Sequence, residues 1–202
     1  MENSEIIRES KSILRGNYGK VIFPFLIVII VNNLVSSADV YQNLFTISEI
    51  ESGVISLAIT VLITFPLSVG VASYSISITN DLFDSNKLFD GFKIFVKSAV
   101  AGLIYYLVII LGLVLLIVPG IYAALTFSQV FYIISQNNDI GVKEAFKQSS
   151  AMMKEHKWQL FKLGIRYGFY LILSVFTLFI WALWLIPQMN VSYAIFFREL
   201  NK

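Results

Sequence analysis

The chain contains no cysteine and one histidine, and no long apolar run carries an ionisable side chain in its central turns. Without cysteine there is neither a disulfide framework nor a thiolate metal site. His156 alone excludes a multi-histidine cluster, and between Glu155 and Lys157 it reads as a surface residue. Ion-coupled carriers hold the coupling ion on carboxylates or bases buried in the membrane, so the lack of such groups argues against a pump of that kind. The acids fall in the polar segments, with no pair at metal-ligand or acid/base spacing beside a histidine, and no glycine-rich phosphate loop is present. The sequence therefore predicts no catalytic residue, no metal and no cofactor. A net charge of +2 is too small to suggest a nucleic-acid partner.

What the chain has in abundance is apolar surface: 57% of its 202 residues are hydrophobic, 14% are charged, and the mean hydropathy is +0.75. A water-soluble globule of this size could not hide so much, so lipid is the expected solvent. Apolar stretches run over Val21–Val35, Ile55–Ile78, Ala99–Ser135 and Leu163–Phe197. The last two are too long for one crossing, because a helix of about 35 residues reaches roughly 50 Å against a hydrocarbon core of about 30 Å. Pro119-Gly120 and Pro187 punctuate them, and Pro66 lies in the second stretch. Proline removes a backbone donor and glycine permits a tight reversal, so all four are candidate hairpin breaks. The expected fold is all-α: one integral membrane domain, 1–202, forming a polytopic helical bundle of about six spans in three hairpins. The spans are expected near 19–36, 55–78, 99–118, 120–136, 163–183 and 185–198. Small residues follow the first run at Ser36-Ser37-Ala38, but the long, mixed-charge leader makes an uncleaved first span the expectation.

Charge distribution gives the orientation. The stretch Ser36–Gly53 holds Asp39, Glu49 and Glu51 and no Lys or Arg, whereas all 15 basic residues fall in segments that six spans place on the same side. Positive loops stay cytoplasmic, so both termini are expected there, in a multi-pass protein of a cytoplasmic membrane.

The basic segments are patterned. Residues 1–18 set Ile6, Ile7, Ile13 and Leu14 against Arg8, Lys11 and Arg15. Residues 139–157 place Val142, Ala145, Phe146, Ser149, Met152 and Met153 on one helical face flanked by Lys143, Lys147 and Lys154, with Asp139 positioned to cap the start. Two amphipathic cytoplasmic helices lying at the interface are expected, their cations near anionic headgroups of the inner leaflet. Arg8, Arg15, Lys143, Lys147, Lys154 and Trp158 are the candidate lipid- or partner-binding residues. Shifting the first helix by 139 positions pairs Ser10 with Ser149 and Leu14 with Met153, and Leu88–Lys97 reads as a shorter copy, which suggests three repeats of one unit. Polar residues at depth, Gln129, Gln188 and Ser192 among them, read as hydrogen-bonding glue between helices.

The runs Leu14-Arg15-Gly16-Asn17-Tyr18, Leu88–Lys93, Val118-Pro119-Gly120-Ile121, Ala145–Phe161, Trp181–Pro187 and Phe196–Leu200 resemble a bacterial membrane-protein family known as domain of unknown function 975. More remotely, the arrangement is similar to the membrane domain of some glycerophosphodiester phosphodiesterases. The resemblance implies a multi-span protein of a bacterial membrane and no catalytic residues. The expected function is non-enzymatic, through contact with membrane lipids, a protein partner or a second copy of the chain. Envelope stress response and protection against membrane-active peptides would suit such a protein. The alternative is a permease-like subunit driven by a separate ATPase, for which Glu144-Ala145 ahead of an amphipathic helix is the faint sign.

Overall fold

The computed structural model describes residues 1–36, 41–42, 45 and 48–202, and the regular elements among them are all helical. Helix α1 (Asn3–Leu14) starts with a reciprocal capping box between Glu2 and Glu5. Gly16, in the left-handed region at φ 81°, closes it. Helix α2 (Tyr18–Ser36) then leaves at 106° to α1.

Ser48 and Glu51 form the capping box that opens α3 (Glu49–Ile59). The helix continues through a π segment, Thr60–Thr64, into α4 (Phe65–Thr79), giving one run of 31 residues. The π segment hands the Phe65 amide to the Thr60 carbonyl, so the ladder has already shifted when it reaches Pro66, which has no N–H to give. Pro66 therefore lies within a continuous helix, not at a reversal.

A 3₁₀ turn (Ser85–Phe89), begun by the Asp84 side chain accepting from the Asn86 amide, leads through α5 (Asp90–Lys93) to α6 (Phe95–Leu115). Leu116, extended at φ −168° and ψ 153°, separates α6 from α7 (Ile117–Thr126), and the two helices pack together across it. The interruption thus falls three residues before Pro119, which sits in the first turn of α7, where a missing N–H costs nothing. After a turn at 127–129 come α8 (Val130–Gln136), α9 (Val142–Met152) and α10 (Lys157–Leu173). Gly141, not Asp139, occupies the N-cap of α9; the Asp139 amide instead donates to Asn137 Oδ1.

The last apolar stretch is divided by a 3₁₀ turn, Ser174–Thr177, followed by Leu178 and Phe179 at φ 50° and 60°. Helix α11 (Ala182–Leu200) then passes uninterrupted through Pro187, so the boundary expected at 183–185 lies nearer to 178.

Helices α4 and α11 form the centre and pack on each other, with most of both buried. Helices α1, α2 and α10 lie against α11, while α6 and α8 lie against α4. Glycine permits the closest approaches. A Cβ on Gly70 would overlap the Leu88 carbonyl, one on Gly91 would overlap the Pro66 carbonyl, and one on Gly112 would stand 2.8 Å from Gly120 Cα.

Among the described residues, four helices are long and apolar enough to cross a membrane: Glu49–Thr79, Phe95–Leu115, Ile117–Gln136 and Lys157–Thr177. The bent pair Asn3–Leu14 with Tyr18–Leu34 makes a fifth if counted as one span. Helix α11 is not among them. It carries Gln188, Asn190, Ser192, Arg198 and Glu199, and a helix surrounded by protein need not be apolar on every side. In the acidic segment Ser36–Gly53, positions 37–40, 43–44 and 46–47, Asp39 included, lie outside the described residues.

Candidate functional site

The two basic helices keep register with each other. Helix α1 starts at Asn3 and α9 at Val142, 139 positions on, and the same shift carries the start of α2, Tyr18, onto the start of α10, Lys157. Ser10 and Ser149, and Leu14 and Met153, are fully buried. The apolar faces of both helices are turned onto protein: α1 rests on α11, and α9 on α8 and α6. Burying Ile6, Ile7 and Leu14 is worth about 1.5–3 kcal/mol each, which explains why the face packs inward and leaves the cations outside.

Each paired serine sits in a polar junction. Ser10 Oγ donates to the Ile7 carbonyl and accepts from Ser192 Oγ at 2.9 Å. Ser192 lies 2.6 Å from the Tyr167 hydroxyl, to which Gln188 Nε2 donates. Ser149 Oγ donates to the Thr126 carbonyl at 2.9 Å and accepts from the Gln129 amide, so α9 bridges the interruption between α7 and α8. These hydroxyls join helices, in keeping with a structural role.

With Ala145 and Ser149 held inward, α9 presents Lys143 and Lys147 outward, and Lys154 is exposed in the turn that follows it. They meet Lys157, from the start of α10, around a groove of about 900 Å³ whose apolar side includes Ile104, Tyr122, Phe127 and Phe146. Phe146 packs on Phe127 at 5.1 Å between ring centroids, which anchors α9 along the groove. Lys157 Nζ lies 4.7 Å from the Tyr122 ring centroid. Among the described residues, Lys147 is the one groove lysine with an ion-pair partner within 4.0 Å, Glu144 at 3.8 Å, and both are well exposed, so the groove keeps its positive charge.

Trp158 falls next door, in an apolar trough of about 400 Å³ with Val118, Ile121 and Phe161, stacked on Phe161 at 5.3 Å. Tyr122 and Lys157 belong to both depressions. Arg15 lies apart from the groove, with Lys11 in a cavity of about 620 Å³ bounded by Tyr170, Trp181 and Trp184. Arg8 is exposed on α1 and lines neither depression. Three expected lysines are therefore brought together, Lys157 joins them, and the arginines are elsewhere. Lys157, at the end of the helix expected over 139–157, instead begins α10, and the turn between α9 and α10 returns it to the groove.

Among the described residues no group of three His, Cys, Asp or Glu side chains is placed to hold a metal. Residues 105–202 match a family model described as "Protein of unknown function (DUF975)". The runs Val118–Ile121, Ala145–Phe161, Trp181–Pro187 and Phe196–Leu200 fall inside that stretch, and the runs at Leu14 and Leu88 outside it. No curated protein and no solved structure matches the chain, so the remote likeness to glycerophosphodiester phosphodiesterases is not shown.

Proposed function

We propose that the chain, whose residues 105–202 match the DUF975 family model, is a member of that family and a non-enzymatic, multi-pass membrane protein that binds anionic lipid headgroups in the α9 groove. The observation that carries this reading is the convergence of Lys143, Lys147, Lys154 and Lys157 on a groove with an apolar side. A phosphate-bearing headgroup suits the lysines, and acyl chains suit Ile104, Phe127 and the trough beyond Tyr122.

Six crossings are proposed: α2, the run Glu49–Thr79, α6, the run Ile117–Gln136, the run Lys157–Thr177, and α11, with reversals at Leu116 and Leu178. Contacts between the basic segments support placing them together on the cytoplasmic side. Arg198 near the C-terminus pairs with Glu9 of α1 and donates to the Thr79 carbonyl at the end of α4. Lys97 donates to the Asn138 carbonyl, and Gln159 Nε2 to the Met1 carbonyl. Away from that end, the side chains of Leu113, Val114, Leu115 and Phe176 are apolar and exposed, which suits contact with lipid.

The test is native mass spectrometry of the purified full chain with phosphatidylglycerol or phosphatidylcholine added. The wild type should retain phosphatidylglycerol preferentially. Each lysine near an anionic surface is worth about 1 kcal/mol, so replacing Lys143, Lys147 and Lys154 by Gln should weaken that binding on the order of a hundredfold. Equal retention by the triple variant, or no preference for the anionic lipid, would sink the reading.

A further inference from the structure

The cavity of about 620 Å³ between the last turn of α1 and the first turns of α11 is within the size range of small-ligand sites. Lys11 and Arg15 line it with Tyr170, Trp181, Trp184 and Gln188, and no acidic residue does. Both cations are exposed, and among the described residues neither has an ion-pair partner. Helix α1 runs antiparallel to α11: Glu9 pairs with Arg198, Ser10 meets Ser192, and Arg15 shares the cavity with Gln188. Gln188 lies ten residues before Arg198, so the two cations sit about 15 Å along α11 from its charged end. Cations held that far along a membrane-crossing helix call for an anion, and to that extent the ligand class rests on the crossing of α11 proposed above. The 139-residue shift that carries α1 onto α9 takes Arg15 to Lys154 and Lys11 to Ser150, which line the lysine groove, so the same turn of both units borders a cavity.

Gln188 is 7% exposed, and a chain of committed protons orients its amide. Ser10 gives its one proton to the Ile7 carbonyl, so Ser192 donates to Ser10 and Tyr167 donates to Ser192. The Tyr167 oxygen is then left to accept, and it accepts from Gln188 Nε2 at 3.3 Å. Gln188 Oε1 is the remaining atom of the amide. It accepts no hydrogen bond among the described residues and, unlike Gln129 Oε1, is not shut off from the surface. Two unpaired cations beside an amide oxygen suit an anion that also carries a hydroxyl donor.

We infer that this cavity binds the headgroup of an anionic phospholipid with free hydroxyls, of the phosphatidylglycerol class. The phosphodiester lies between Arg15 and Lys11, and a headgroup hydroxyl donates to Gln188 Oε1. The Tyr170, Trp181 and Trp184 rings flank the glycerol backbone and the tops of the acyl chains. The site shares no residue with the lysine groove, and it does not rest on headgroup binding there.

The experiment counts lipids bound to the full-length protein in detergent by native mass spectrometry. It compares dioctanoyl phosphatidylglycerol with dioctanoyl phosphatidylmethanol, which keeps the charge and both chains but has no hydroxyl. The variant with Lys143, Lys147 and Lys154 replaced by Gln, in which the groove is disabled, should still retain one phosphatidylglycerol, about tenfold better than phosphatidylmethanol. Adding Gln188→Leu should abolish that preference while phosphatidylmethanol binds as before, which also shows that the fold is kept. Adding Lys11→Gln and Arg15→Gln instead should weaken both lipids about thirtyfold. Loss of phosphatidylglycerol from the lysine variant, or equal retention of the two lipids by it, overturns the inference. So does a preference that survives Gln188→Leu, or binding that survives the loss of Lys11 and Arg15. Displacement of the lipid by an equal concentration of glycerol 3-phosphate would overturn the lipid assignment. If the lysine variant binds as much lipid as the wild type, the groove reading fails and the Lys11 and Arg15 substitutions still decide this one. A failed crossing shows separately, as protection of a cysteine at Leu178 from an impermeant maleimide.

Discussion

Ser149 Oγ spans the interruption between α7 and α8, donating to Thr126 and accepting from the Gln129 amide. Alanine there would leave a buried N–H without a partner, at a cost of about 1–3 kcal/mol. Ser149→Ala should therefore lower the thermal unfolding midpoint in detergent, and an unchanged midpoint would show that the bridge is dispensable. Asp90 is a second position where one side chain ties segments together. Burial works to raise its carboxyl, but hydrogen bonds from Lys93 and Ser73 and the charges of Lys87 and Lys93 outweigh that and hold it below its ordinary value. A carboxyl depressed on folding stabilises the protein above its unfolded pKa and loses that contribution as pH falls through the folded one. Between about pH 5 and about pH 3 the wild-type midpoint should thus fall more steeply than that of Asp90→Asn. Parallel curves would show that the carboxylate contributes nothing.

Among the elements, the contact between α6 and α7 is the most exacting, since both sides of the crossing are backbone. A side chain at Gly112 meets Gly120 Cα, and one at Gly120 meets the Leu113 amide nitrogen at 2.9 Å, so neither clash can be relieved by turning a rotamer. Gly112→Val should cost about 1–3 kcal/mol by forcing the helices apart, whereas Leu116→Val, at the exposed break, should be close to neutral. The comparison of the two unfolding midpoints is the measurement; similar losses would mean that the helices do not rely on close contact. The same geometry explains why Pro119 does not mark the break itself. A proline is best accommodated just after a chain has restarted as helix, so it flags the beginning of the returning element.

For the whole molecule, the proposed topology makes opposite ends of the bundle accessible from opposite sides of the membrane. The chain has no cysteine, so single cysteines report without background. Cysteines at Leu116 and Leu178 should be labelled in intact cells by an impermeant maleimide. Those at Asn86, Ala151 and Asn201 should react only after the membrane is opened. All five positions are exposed, so a failure to react would reflect sidedness and not burial in protein. Labelling of Asn201 in intact cells, or protection of Leu178, would remove the reversal there and with it the sixth crossing.

Helicity, the apolar runs, the two basic amphipathic helices and the family match over the second half of the chain were legible in the sequence, because each depends on local pattern. Periodicity located α1 and α9 to within a few residues, and the offset that pairs Ser10 with Ser149 reappears in the helix boundaries. What an amphipathic face packs against is a different matter. The same stripe of Ala145, Phe146 and Ser149 would suit lipid or protein, and only the fold turns it onto α8 and α6. Nor does hydropathy reveal that α11, which carries Gln188, Asn190 and Ser192, lies at the centre, because a helix enclosed by others can satisfy Gln188 and Ser192 with Tyr167 and Ser10. Ser149 likewise meets Thr126 and Gln129 only because α9 folds back onto the turn between α7 and α8. Pairings between residues distant along the chain are decided by how helices pack, and spacing in the sequence carries no record of them.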